Sequence, residues 1–188
     1  MLKDLIAKNR SYRRFYEDVA VTRGQLTELI GLARLSGSAG NAQQLKFFLS
    51  AGEKNAEVFE CLGWAGYLKD WNGPEAGERP AAYIVVLKPK ALKNEPGIDI
   101  GIACQSILLG AAEMGLGGCM FGNVSRKKLA ESISLPEELE ISLVIALGKP
   151  KETVVINEVG EDGDIKYWRD ENQIHHVPKR SLDDLIQL

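Results

Sequence analysis

Leu26, Leu29, Ile30 and Ala33 recur at i, i+3, i+4 and i+7, the stripe of a helix that turns one face to a core. Thr22, with Gln25 three residues on, forms a capping box ahead of it. The run Ser36-Gly37-Ser38-Ala39-Gly40-Asn41 stops that helix, because glycines and small polar side chains favour turns. Lys46 to Ser50 then reads as a strand. Upstream, Leu2, Leu5 and Ile6 predict a short amphipathic helix that runs into the basic segment Asn9-Arg10-Ser11-Tyr12-Arg13-Arg14-Phe15. Asn55 to Lys69 predicts a weakly patterned helix, and Asp70 to Pro80 a loop long enough to be functional. The unbroken apolar run Ala82 to Leu87 predicts a strand buried on both faces.

The clearest helix spans Asp99 to Met114. Ala103, Ile107, Leu108, Ala111 and Ala112 keep one face small and apolar, so a second helix can approach closely. Gly115-Leu116-Gly117-Gly118 ends it, and Cys119 to Phe121 reads as a short strand. Ser125 is expected to cap a helix through Ile133, and Ile141 to Leu147 to form a last buried strand. Lys151 to Leu188 is polar, with islands such as Tyr167-Trp168 and a final short helix started by Ser181 and Asp184. It reads as an arm that needs a surface to lie on, for which a partner subunit is the natural candidate.

Composition sharpens this picture. With 188 residues and 45% hydrophobic side chains, one domain over residues 1–188 can bury a sizeable core. A formal net charge of -3 speaks against nucleic acid or an anionic membrane as the main partner. The longest apolar stretches fall short of the roughly 18 residues of a membrane span. The charged Met1 to Ile6 lacks a signal-peptide run. Cys61, Cys104 and Cys119 are far apart, with no C-x-x-C pair, which suits reduced thiols in the cytoplasm.

Two segments carry candidate chemistry. Arg10 and Arg13, three residues apart with Ser11 between, can present paired donors and a hydroxyl to a terminal phosphate, or form a solvated basic face. The loop holding Ser38, Asn41, Gln43 and Gln44 can hydrogen-bond a heteroaromatic ring, or be an ordinary helix-to-strand turn. Gly115-Leu116-Gly117-Gly118 lacks the dinucleotide fingerprint, because it follows a helix and precedes a strand, with Met120 at the last glycine position. It reads either as a helix cap or as a turn closely approached by a flat ligand. His175 and His176, adjacent in the polar arm, point to opposite faces and make a poor metal pair, so no metal site is expected. With no catalytic dyad and no P-loop, a bound cofactor is the expected carrier of any difficult chemistry.

In order along the chain, these segments resemble the FMN-dependent nitroreductase family. Asn9-Arg10-Ser11-Tyr12-Arg13-Arg14-Phe15 is similar to the family's opening Arg-Arg-Ser-x-Arg-x-Phe. Gly37 to Leu45 is similar to its Pro-Ser-x-x-Asn-x-Gln-Pro-Trp loop. Asp99-Ile100-Gly101-Ile102-Ala103-Cys104-Gln105, continuing through Leu109 and Ala112 to Gly115-Leu116-Gly117, matches its middle helix. Leu147 to Pro150 and the basic pair Lys179-Arg180 complete the order.

The resemblance implies an α+β sandwich, a mainly antiparallel central sheet flanked by helices, in an intertwined homodimer with FMN at the interface. It implies that Arg10, Ser11 and Arg13 hold the phosphate and ribityl chain, joined by Lys179 or Arg180. Ser38, Asn41 and Gln43, from the other subunit, would lie beside the ring, with the turn at Met120, Phe121 and Gly122 near its reactive nitrogen. NADH or NADPH would reduce the flavin, and a small electron-poor acceptor such as a nitroaromatic or quinone would reoxidise it in a ping-pong cycle; no side chain is needed as acid or base. Related flavin chemistry (dehalogenation, enone reduction) and a flavin-binding sensor or storage protein are the alternatives. Asn9, Gly37 and Gln44-Leu45 depart from the family pattern, and those departures lie where a substrate would dock.

Overall fold

A computed structural model describes residues 1–92 and 96–187. Its centre is an antiparallel sheet of β1 (Phe15–Tyr16), β2 (Lys46–Ala51), β3 (Ala82–Pro89), β4 (Gly117–Phe121) and β5 (Leu139–Pro150). β3 pairs with β2 on one side and β5 on the other, while β4 and β1 share the far edge of β5. Alternate residues of β3 serve two cores, as its unbroken apolar run requires. Tyr83, Val85 and Leu87 join one core with Val58, Phe121 and Leu129; Ala82, Ile84 and Val86 join the other with Leu26, Leu29 and Ile107.

The second core lies under α2 (Arg23–Leu35) and α4 (Gly97–Glu113). The capping box forms as the sequence predicts, with Gln25 N–H donating to Thr22 Oγ1 at 3.2 Å. The small face of α4 does receive α2, and Gly110 sets the distance: a Cβ there would stand 2.2 Å from Leu32 Cδ1. α1 (Leu2–Lys8) buries none of its residues.

Two expectations are corrected. α3 covers only Asn55–Phe59 rather than extending to Lys69. The following residues instead bond to the 123–125 segment: Gly63 N–H donates to the Asn123 carbonyl at 2.9 Å, and Ser125 N–H to the Cys61 carbonyl at 2.8 Å. Ser125 does precede α5 (Arg126–Ser132), but only its carbonyl takes part, accepting from Leu129 N–H at 3.0 Å; its hydroxyl makes no cap bond. The polar arm is also more ordered than its composition suggests. β6 (Val154–Glu158) runs parallel to β8 (His175–Lys179), with β7 (Trp168–Arg169) antiparallel on the other side, and α6 (Leu182–Leu185) follows. This small sheet packs on its own chain: Arg169 lies 4.7 Å from the Trp71 ring and Tyr167 lies 4.9 Å from Tyr67.

Candidate functional site

The basic segment leaves α1 in extended conformation at Asn9 and runs beside the first residues of β4. Tyr12 N–H donates to the Gly118 carbonyl at 3.0 Å, and Ser11 bridges Gly118 in parallel sense. The glycines make this contact sterically accessible. A Cβ on Gly117 would fall 2.4 Å from Tyr12 Cδ2, and one on Gly118 would fall 2.6 Å from the Ala146 carbonyl oxygen. Gly115, at φ +72°, supplies the left-handed turn that ends α4. The Gly-rich run is therefore both a cap and a close-approach surface, and the close approach is made by the chain itself.

From the opposite side comes β8, whose period-two alternation points His175, Val177 and Lys179 the same way. With Asn9, Arg10, Ser11, Arg13, Gln105, Met120 and Tyr167 they surround a cavity of about 300 Å³. Three cationic side chains from two distant stretches of sequence (Arg10 and Arg13 from one, Lys179 from the other) thus meet at one hollow. Arg10 Nη2 donates to the Ile6 carbonyl at 2.8 Å, whereas its buried Nε has no partner among the described residues. An orphaned guanidinium N–H in a polar hollow suits an anion.

Arg13 is held from several directions. It is only 9% exposed. Its Nη1 donates to the Ser11 carbonyl at 3.2 Å and to His175 Nε2 at 3.1 Å, and its guanidinium lies 4.7 Å from the Tyr167 ring centre. Its backbone N–H donates to Glu152, a buried carboxylate that also accepts from Arg169 Nη2 at 3.0 Å. His175 is 1% exposed, and burial, then the charges of Arg13, Arg169 and His176, lower its pKa to about 4. A neutral imidazole is consistent with an Arg13 N–H donating to it.

The Ser38 loop builds a second hollow, about 270 Å³, lined by Ser36, Ser38, Gln43, Gln44, Leu45 and Asp99, among others. Asp99 holds the loop by accepting from the Ser38 hydroxyl at 2.7 Å and from Ala39 N–H at 2.9 Å. Those two bonds, the amide's first, hold the Asp99 carboxyl below the usual carboxylate range. Ser38 Oγ in turn accepts from Gln43 N–H at 2.9 Å. Gly40, Asn41 and Gln43 all lie at positive φ, between 49° and 58°, so the loop is locally strained at its two non-glycine members.

The residues singled out from sequence therefore fall in three places. Arg10, Ser11, Arg13 and Lys179 line the first cavity, from which Arg180, the next residue after β8, is absent. Ser38 and Gln43 line the second; Asn41, in the same loop, stays exposed outside it. Phe121 is buried edge-on against Trp64 at 4.7 Å, and the Gly122 carbonyl accepts from Arg126 Nη2 at 3.1 Å. In that stretch the residue facing the first cavity is Met120. Gln105, Tyr167 and His175 line the site without having been read as part of it, and Glu152 stands behind them. The alternation of His175, Val177 and Lys179 was the signal that could have found the last strand.

Residues 6–149 match the sequence model of the nitroreductase family. The chain belongs to that family. A protein of Archaeoglobus fulgidus that carries the name NADH dehydrogenase/NAD(P)H nitroreductase is 27% identical over 146 residues, 74% of this chain and 80% of the relative. Among solved structures, an FMN-dependent nitroreductase of Clostridium difficile R20291 superposes with a TM-score of 0.63 at 25% identity, over 79% of this chain and 87% of that one. A nitroreductase family protein of Streptococcus pneumoniae TIGR4 covers 100% of both chains with a TM-score of 0.73 at 15% identity, which bears on the fold alone. The α+β nitroreductase fold, an antiparallel sheet with helices on both faces, is therefore that of this chain. The family match stops at residue 149, so Glu152, Tyr167, His175 and Lys179 lie beyond it.

Proposed function

We propose that this chain is an FMN-dependent oxidoreductase that passes electrons from NADH or NADPH to a small electron-poor acceptor such as a nitroaromatic or quinone. The observation that carries the reading is the convergence of Arg10, Arg13 and Lys179 with Ser11 on one cavity, in a chain of the nitroreductase family. The donors fit the cofactor. Guanidinium forks and an ammonium suit a terminal phosphate, the Ser11 hydroxyl adds a neutral bond, and the buried orphan Nε of Arg10 gains a partner.

Bound FMN would supply the capacity to take a hydride and return electrons, which no side chain of the chain offers. The residues bind and orient. Arg10, Ser11, Arg13 and Lys179 would hold the phosphate and ribityl chain. A cavity of about 300 Å³ is at the low end for a cofactor site, so the ring would extend past Met120, which is 46% exposed.

That open rim supports a homodimer. Ile98 and Ile102 on α4 are exposed, as are Leu182 and Leu185 on α6 and the adjoining Ile186, apolar side chains that a partner subunit would cover. In this reading the end of the 151–188 arm packs on the partner, and the partner's copy of the Ser38, Asn41 and Gln43 loop completes the ring site. Among the described residues no helix is long and apolar enough to cross a membrane.

The test is an absorbance spectrum of the purified protein, before and after anaerobic NADH or NADPH. A flavin spectrum that bleaches with either nucleotide and returns with a quinone supports the reading. Colourless protein that added FMN cannot reconstitute would overturn it.

A further inference from the structure

We propose that His175 is a positioning residue that fixes the Arg13 guanidinium towards the cavity, with Tyr167 as the face against which that guanidinium rests. The inference deepens the proposed function and rests on it for the identity of the anion.

Three observations carry it. First, arginine nitrogens only donate, so the 3.1 Å contact from Arg13 Nη1 makes His175 Nε2 the acceptor. The imidazole is then neutral with its proton on Nδ1, and that buried atom has no partner among the described residues. A buried polar atom left unsatisfied is costly, so the ring orientation reflects what Nε2 does for Arg13. Second, Nη1 is shared between His175 and the Ser11 carbonyl at 3.2 Å, which among the described residues leaves Nε and Nη2 as the donors open to a ligand. Third, the Tyr167 ring lies 4.7 Å from the guanidinium and 5.1 Å from the His175 ring, so the plane is set from a second direction. Burial and the neighbouring cations Arg13 and Arg169 keep the imidazole uncharged at neutral pH, as an acceptor must be.

His175 comes from β8 and Tyr167 from the residue just before β7, both outside the stretch that matches the family. The sheet thus does more than add Lys179: it orients an arginine that the N-terminal segment supplies.

Apoprotein variants test the proposal. In His175→Leu the acceptor is lost, and FMN titration by fluorescence quenching should weaken about tenfold or more, the loss expected for a hydrogen bond to a charged group. His175→Gln places a carbonyl oxygen near the Nε2 position and should retain most of the affinity. In the wild-type apoprotein, nitrogen NMR should show His175 protonated at Nδ1, and the Arg13 Nε–H should be ordered; that order should survive in His175→Gln and fade in His175→Leu. Unchanged FMN affinity and unchanged Arg13 order in His175→Leu would overturn the proposal, as would a proton on Nε2 in the wild type. If wild-type protein takes up no FMN, the flavin reading fails, while the tautomer and the order of Arg13 still decide the role of His175.

Discussion

Asp99 and Ser38 are joined across the gap between α4 and the strained loop by a 2.7 Å hydrogen bond, with the Ser38 hydroxyl donating. The same carboxylate takes the Ala39 N–H, so one side chain on a rigid helix holds two consecutive loop residues. Asp99→Ala should therefore release the loop while leaving the sheet intact. Amide hydrogen exchange should accelerate at Ala39 and Gln43 and stay unchanged in β3. Because the Asp99 carboxyl is held below its ordinary range, the tether persists down to mildly acidic pH and loosens only as pH falls below the usual carboxylate value.

Arg14, Glu78 and Lys151 form a second tie, between the basic segment and the 70–80 loop. Arg14 Nη2 donates to Glu78 Oε1 at 2.6 Å, and Lys151 Nζ approaches the same oxygen at 3.0 Å. Arg14, then Lys151, lower the Glu78 pKa from 4.5 to about 2. Its stabilising share is complete above pH 4.5 and disappears as pH falls through about 2. Glu78→Gln should cost on the order of 1 kcal/mol at pH 7, allowing for solvent screening. Urea denaturation of both proteins at pH 7 and near pH 2.5 should show most of that gap closed at the acid end.

Histidine titration acts in the same direction at higher pH. His175 is neutral when folded, and its pKa falls from 6.5 to about 4. Between those values the unfolded chain binds the extra proton, so stability should rise with pH across this window. The groups facing it are Arg13, Arg169 and His176, all of which oppose a positive imidazole. Replacing His175 with Gln should flatten the rise, as thermal denaturation at pH 4, 5.5 and 7 would reveal.

Gly110→Ala should destabilise by about 1–3 kcal/mol, the usual cost of overpacking a helix contact. The new Cβ meets the end of a flexible side chain, Leu32 Cδ1 at 2.2 Å. Shortening that neighbour with Leu32→Ala in the same protein should recover part of the loss, and a double-mutant cycle of denaturation midpoints measures the coupling.

Arg10→Ala should weaken FMN binding about tenfold, since a charged hydrogen bond is worth about 1.5–3 kcal/mol. Arg180→Ala should leave it unchanged, because Arg180 does not line the cavity. Equal losses from both substitutions would show that general positive charge matters rather than placement.

Much of this fold was legible because burial imposes periodicity. The run Ala82 to Leu87 had to face two cores, and Thr22 with Gln25 had to start a helix. The segment after Phe59 was not legible, since its conformation is decided by bonds to Asn123 and Ser125, 60 or more residues away. The site divides in the same way. Arg10, Ser11 and Arg13 stand close in sequence and could be read as one group. Glu152 and His175 could not, because pairing with Arg13 is a property of the tertiary fold; a polar segment rich in charged residues gave no hint that two of its members would be buried.

β8 also makes the hollow depend on a strand that the central sheet does not need. Arg13 and His175 meet across 162 positions of sequence, while every strand of the central sheet is complete by Pro150. Loss of β8 would therefore leave all the central strand pairings in place, yet strip the hollow of Lys179 and of the acceptor that steadies Arg13.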